Sequence, residues 1–221
     1  MARRQQEKSA QTQQELLEAA ERLFVEKGYL ATTVQEITEA AGYAKGNFYR
    51  YWASKDELML EIIASKMRQY RAMRDARVRE ARSLAEVMDG VLDFLARIHQ
   101  DRGWSLVFLE FTIYAARKPE LRARLSEAHY RLSNEIFAAL VGPFLPPGCD
   151  GQAMGALNTA LFEGFVIHEL MGTGVLHWED FCRVARKLAL ECAASRTLCP
   201  EAEASPNRPV MGPEAISSEE S

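Results

Sequence analysis

The chain predicts an all-α fold, and three observations carry that expectation. Apolar residues recur at spacings of three and four, strand-type alternation is absent, and Gly and Pro are sparse before Gly142. Helix starts are well marked besides. Thr12, Thr33, Ser54 and Ser83 are each followed three residues later by Glu15, Glu36, Glu57 and Glu86. In this pairing the hydroxyl accepts from an otherwise unpaired backbone N–H while the carboxylate reaches back. A chain of 221 residues buries enough apolar surface to need no covalent staple.

The elements follow in order. Residues 1–11 read as a flexible basic arm. The first helix, about 12–27, carries Leu16, Ala20, Leu23 and Phe24 on one stripe and stops at Gly28. The second, 34–41, turns Val34, Ile37 and Ala41 inward and ends at Gly42; the third, 45–52, follows within three residues. Together, residues 12–55 make a helix-turn-helix unit of three helices. A fourth helix runs 54–79, its later turns rich in arginine. Helices are then expected at 83–100, 103–116, 119–140, 151–172 and 178–195, with Pro119 in a first turn, where its missing N–H costs nothing. Residues 56–197 thus form a larger antiparallel helical domain. The prolines between Gly142 and Gly148 make a loop, and residues 198–221, poor in bulky groups, read as a disordered tail.

Net charge is −4, which argues against indiscriminate nucleic-acid binding, yet the sign is unevenly spread. Residues 1–82 sum to +3 and the remainder to −7. Between Ala40 and Lys55 lie Lys45, Arg50 and Lys55 and no acid, so this stretch can approach phosphates. Cys149, Cys182, Cys192 and Cys199 show no C-x-x-C pair and no histidine at ligand spacing, and read as free buried or surface thiols. No cofactor or metal is expected. The N-terminus lacks the apolar run of a secretory signal, so a cytoplasmic protein without a membrane partner is expected.

A short helix, a glycine turn and a second short helix suit one task well: the first braces and the second is presented to the major groove. Ile37, Ala41, Phe48 and Trp52 pack inward. Tyr43, Ala44, Lys45, Asn47, Tyr49, Arg50 and Tyr51 are left for the outer surface, a set of cations, phenols and an amide suited to phosphates and base edges.

With Gly28-Tyr29, the Thr pair before the second helix, Ile37 with Ala41-Gly42, Lys45-Gly46, Phe48-Tyr49, Trp52 and Ser54-Lys55-x-x-Leu58 at their spacings, residues 12–60 closely resemble the N-terminal domain of the TetR family of transcriptional regulators. The resemblance implies that Thr33, Tyr49, Tyr51 and Lys55 hold phosphates. It implies that Gly46 lets the backbone approach DNA, and that Tyr43, Lys45, Asn47 and Arg50 reach base edges. Ala44 departs from the Ser or Thr usual there, and Trp52 replaces a Phe.

The same resemblance implies a C-terminal domain that dimerises and binds a small ligand whose identity does not carry over. Trp104, Phe108 and Phe111 fall on one stripe, with Tyr114 one position off, and serve either as core or as pocket wall. Glu110 and Glu163 sit amid apolar neighbours, so each is paired, exposed or used. If used, with Phe162 and Phe165 nearby, they suit a cationic or aromatic effector; His168 is adjacent. In the last two helices Gly155, Ala156, Ala160, Gly164, Val184 and Leu188 fall where the family builds an interface between two chains. A dimer also follows from the short recognition helix, since two copies about one helical turn apart read a palindrome. Repression by operator occupancy, relieved by effector, is the mechanism expected. An activator of the same fold and a helical adaptor without DNA binding stand as alternatives. An enzyme lacks a nucleophile with its base, a metal set or a phosphate loop.

Overall fold

Helix α1 of the computed structural model, which describes residues 2–195 and residue 198, runs Ala2–Lys27. It therefore begins ten residues before Thr12, and the expected arm is helix. Thr12 caps nothing: its hydroxyl donates to the Lys8 carbonyl one turn back, as mid-helix threonines do. Gly28, at φ +86°, ends α1 in the left-handed region.

The remaining expected elements form with small shifts. Helix α2 is Val34–Ala40 and carries the full reciprocal cap of Thr33 and Glu36. Helix α3, Lys45–Phe48, is a single turn and shorter than expected; Tyr51 and Trp52 both donate to the Phe48 carbonyl in the turn that follows. Helix α4, Lys55–Val78, and α5, Leu84–Gln100, start on Ser54 and Ser83, whose hydroxyls accept from Glu57 N and Glu86 N. There the glutamates reach one residue further than the capping box, to Ala53 N and Arg82 N. Helix α6 is Arg102–Ala116, and α7, Pro119–Leu125, continues through a π-helical turn, Ser126–Arg131, into α8, Leu132–Val141. Helices α9, Gly151–Leu170, and α10, Trp178–Ser195, complete the bundle. The described residues contain no strand.

Two cores organise these helices. The first joins Leu16, Phe24, Ile37, Phe48, Trp52, Leu58 and Ile62 to Trp104, Val107 and Phe111 of α6 and to Leu121 and Leu125 of α7. The second packs α5, α8, α9 and α10 around Val87, Met88, Phe162, Phe165 and Phe181. Helix α6 therefore contributes to the interior of the N-terminal unit, and no clean break in packing falls at residue 55. Gly103 permits that contact: a Cβ there would lie 2.6 Å from Val25 Cγ1 on α1.

One cysteine departs from expectation. Cys149 is disulfide-bonded, Cys182 and Cys192 are free, and Cys199, with the proposed tail beyond residue 198, lies outside the described residues. No described helix is long and apolar enough to cross a membrane.

Candidate functional site

The short α3 presents its side chains because Phe48 and Trp52 anchor it. Phe48 is fully buried, and Trp52 packs on it with ring centroids 5.4 Å apart while its Nε1 donates to Glu61 at 2.5 Å. Outward stand Ala44, Lys45, Gly46, Tyr49 and Arg50, all exposed, with Asn47 partly so. Ala44 gives α3 no side-chain cap. Thr33 is exposed at the start of α2, its hydroxyl engaged with Glu36. Lys27 and the Thr33 backbone hold the Glu36 carboxyl far below its usual range, at about 2.

Three expected DNA contacts are committed elsewhere. The Tyr43 hydroxyl donates to Glu15 of α1, and the Tyr51 hydroxyl donates to the Ser9 carbonyl at 3.0 Å. These tyrosines brace the recognition turn on the first helix, and Ser9, the partner of Tyr51, lies in the part of α1 beyond the expected helix start at residue 12. Lys55 turns inward: its Nζ donates to the Tyr29 and Thr32 carbonyls, each at 2.6 Å, and lies 4.4 Å from the Tyr29 ring centroid. Its ammonium closes the α1–α2 turn.

Helix α6 grips the same turn. Glu110 Oε2 and Oε1 accept from Tyr29 N and Leu30 N at 2.8 and 2.9 Å, and Phe111, fully buried, sits 4.9 Å from the Tyr29 ring. Asp56 accepts from the hydroxyls of Tyr29 and Tyr114 and from Lys118. Glu110, Phe111 and Tyr114 are thus joints to the N-terminal unit.

One turn earlier, Trp104, Ser105, Phe108 and Leu109 of the same helix border a cavity of about 100 Å³. Phe162 and Glu163 of α9 border it too. Phe165 does not: it packs with His99, Trp178 and Phe181. His168 is exposed and within 3.3 Å of the Thr173 hydroxyl. Arg71, Arg74, His129, Ser133, Asn158 and Thr159, which sequence reading missed, complete the polar lining. A signal was present, because Met59, Ile63 and Met67 set a buried stripe on α4 that Arg71 and Arg74 continue in register.

The π turn places His129 in that wall, 4.8 Å from the Phe108 ring, with its Nδ1 unpartnered. Burial, aided by the charge of Arg71, lowers its pKa to about 4. The unfolded chain, with an ordinary histidine pKa near 6.5, then binds the extra proton. Stability is therefore full above about pH 6.5 and is lost as pH falls towards 4, by up to about 3 kcal/mol. Denaturant titrations across that window are expected to show a flatter profile for His129→Phe.

On the opposite face of α9, Ala156 and Ala160 are exposed and Gly164 borders open space. Leu157, Ile167 and Val184 are 42%, 48% and 55% exposed, and Leu188 is half-buried. Gly155 points the other way, where a Cβ would meet Phe137 Cβ at 3.1 Å and Asn134 Cα at 3.2 Å. It allows α8 and α9 to cross closely within the chain and does not belong to the outer face.

Comparisons with known proteins agree with this architecture. Residues 16–62 match the model of the bacterial regulatory proteins, tetR family, and residues 81–192 match the C-terminal model of BetI-type transcriptional repressors. The HTH-type transcriptional repressor AcnR of Corynebacterium efficiens is 31% identical over 121 residues, 55% of this chain and 60% of that protein. The repressor KstR2 of Mycobacterium tuberculosis is 45% identical over 49 residues, 22% of this chain and 24% of its own. The matches thus span about three-fifths or less of these curated relatives. Among solved structures, Salmonella enterica GusR has TM-score 0.66 at 18% identity, covering 83% of this chain and 95% of its own. FadR from Bacillus subtilis in complex with stearoyl-CoA has TM-score 0.62 at 20% identity, covering 82% and 97%. At these identities they share the fold.

Proposed function

We propose that this chain, which belongs to the TetR family of bacterial regulatory proteins, represses transcription by occupying a palindromic operator as a homodimer and is released when a small effector fills its cavity. One observation carries the reading: a single helix, α6, lines the cavity with Trp104 and Phe108 and grips the α1–α2 turn with Glu110. A ligand that displaces either aromatic ring moves the lever that orients the recognition turn. The relatives named above as repressors support the direction of control.

Exposed Lys45, Tyr49 and Arg50, with Asn47, Gly46, Ala44 and Thr33 beside them, form the DNA-contacting surface in this reading. The outer apolar face of α9 and α10, around Leu157, Ala160, Gly164 and Val184, joins two copies. Effector works only if it binds the two dimer states unequally.

Gel shift with DNA upstream of the chain's own gene tests the whole reading; no retarded species at any protein concentration would sink it. Glu110→Ala tests the lever. It leaves Tyr29 N and Leu30 N without their acceptor, a loss of about 1.5–3 kcal/mol. Operator binding is expected to survive at temperatures where the variant is folded. The effector-induced drop in affinity should shrink by at least about fivefold, within the usual range of allosteric coupling. Titrating operator with and without inducing ligand measures both.

A further inference from the structure

We infer that the cavity takes an anion, a carboxylate-bearing compound with an aromatic or aliphatic body, its acid group held by Arg71 with Arg74 alongside. This rests on reading the cavity as the effector site, and it reverses the charge that Glu110 and Glu163 suggest in the sequence.

Arg71 is half-buried, and the one hydrogen bond it makes here, from Nη2 to the Ser133 hydroxyl at 3.0 Å, goes to a neutral group. No carboxylate of the described residues comes within 4 Å of it. A planar guanidinium with most of its donors unspent beside an apolar chamber is built to accept a carboxylate in bidentate fashion. Arg74, 8% exposed, lies next to it. Its counter-ion, Asp75, is 55% exposed and lines no part of the cavity. Burial first and then the like charge of Arg74 pull the Arg71 pKa down, against the charge of Asp75, and an anion in the cavity would relieve the two guanidiniums side by side.

The single acid in the lining does not offset them. Glu163 accepts from the Tyr130 hydroxyl at 2.8 Å, and burial raises its pKa, which weakens its hold on a cation. His129 leaves Nδ1 unpartnered at 8% exposure. Asn158 leaves its Oδ1 unpartnered; an amide rotated by half a turn offers its NH₂ instead. Phe94, Leu95, Trp104, Phe108, Phe137 and Phe162 supply the apolar walls for the body of the ligand.

Three compounds of one body and different head groups decide it: 4-phenylbutyrate, 4-phenylbutanol and 4-phenylbutylamine, titrated into the full chain by tryptophan fluorescence and thermal shift. The carboxylate is expected to bind at least tenfold tighter than the alcohol, with the amine weakest. Arg71→Met should cost the carboxylate tenfold or more and leave the alcohol unchanged, while Arg71→Lys keeps part of the difference. Retained operator binding shows that each variant is folded, and the wild-type series stands without them. Tightest binding by the amine, or a carboxylate indifferent to Arg71→Met, would overturn the charge assignment and leave the effector cavity standing. Binding by none of the three would overturn both.

Discussion

Arg50→Ala is expected to weaken operator binding by about 1–3 kcal/mol in each half-site and to relax the sequence preference at the base it reads. Arg50 is exposed, its guanidinium 5.9 Å from the centroid of the Tyr51 ring, so nothing inside the chain competes strongly for its donors. In a dimer the loss counts twice, about 2–6 kcal/mol, so affinity should fall by about thirtyfold or more. Tyr51→Phe is the informative control. Its hydroxyl serves the Ser9 carbonyl, so its removal should act on stability, by about 1 kcal/mol, and leave the operator affinity of the folded chain as it was. If Tyr51 held a phosphate, its removal would instead weaken operator binding, by about 1 kcal/mol per half-site, because a neutral phenol acts through its hydrogen bond and releases no counterion. Fluorescence anisotropy separates the two. Wild-type affinity in Arg50→Ala would remove α3 from the interface.

What could be read in advance was local, and what could not was relational. Phe48 and Trp52 were placed inside by the 3.6-residue period alone, and Thr33 was recognised as a cap from a spacing of three residues. Glu110 looked like a pocket acid because its apolar neighbours are visible in sequence. Its partners, the amides of Tyr29 and Leu30, lie some 80 residues away and leave no local trace. His129 was missed for a similar reason: a π turn, with its extra residue, breaks the register by which its side chain would have been assigned to a face. Gly155 shared its small size with the outer stripe of Ala156 and Ala160, but one residue along a helix rotates the side chain by about 100°. That rotation puts it against α8. Arg71 and Arg74 were legible as a continuation of a buried stripe, though their charge made solvent the ordinary expectation.

Lys55→Met is expected to lower the stability of the chain and to leave its affinity for phosphates alone, the reverse of what its place at a helix start suggests. The ammonium donates to the Tyr29 and Thr32 carbonyls and reaches Leu30 at 3.4 Å. Burial pulls its pKa down, against the neighbouring Asp56 and Glu110, so hydration has been given up for these contacts. Methionine keeps the length of the stem and leaves the carbonyls without their donor. Charge-assisted bonds contribute about 1.5–3 kcal/mol each, and the site is half open to water, so a total loss of about 2–4 kcal/mol is expected. For a chain of this size that is a fall in Tm of roughly 5–15 °C. Arginine does not rescue it, because a planar fork cannot point at carbonyls arranged around a single nitrogen. Because Glu110 holds the amides and Lys55 the carbonyls of the same turn, Lys55→Met should also blunt the response to effector, as Glu110→Ala is expected to do. A double-mutant cycle then shows coupling between the two, since both act through the geometry of residues 29–32. Additive losses, or a salt slope lowered by about one per half-site with Tm unchanged, would return Lys55 to the DNA surface.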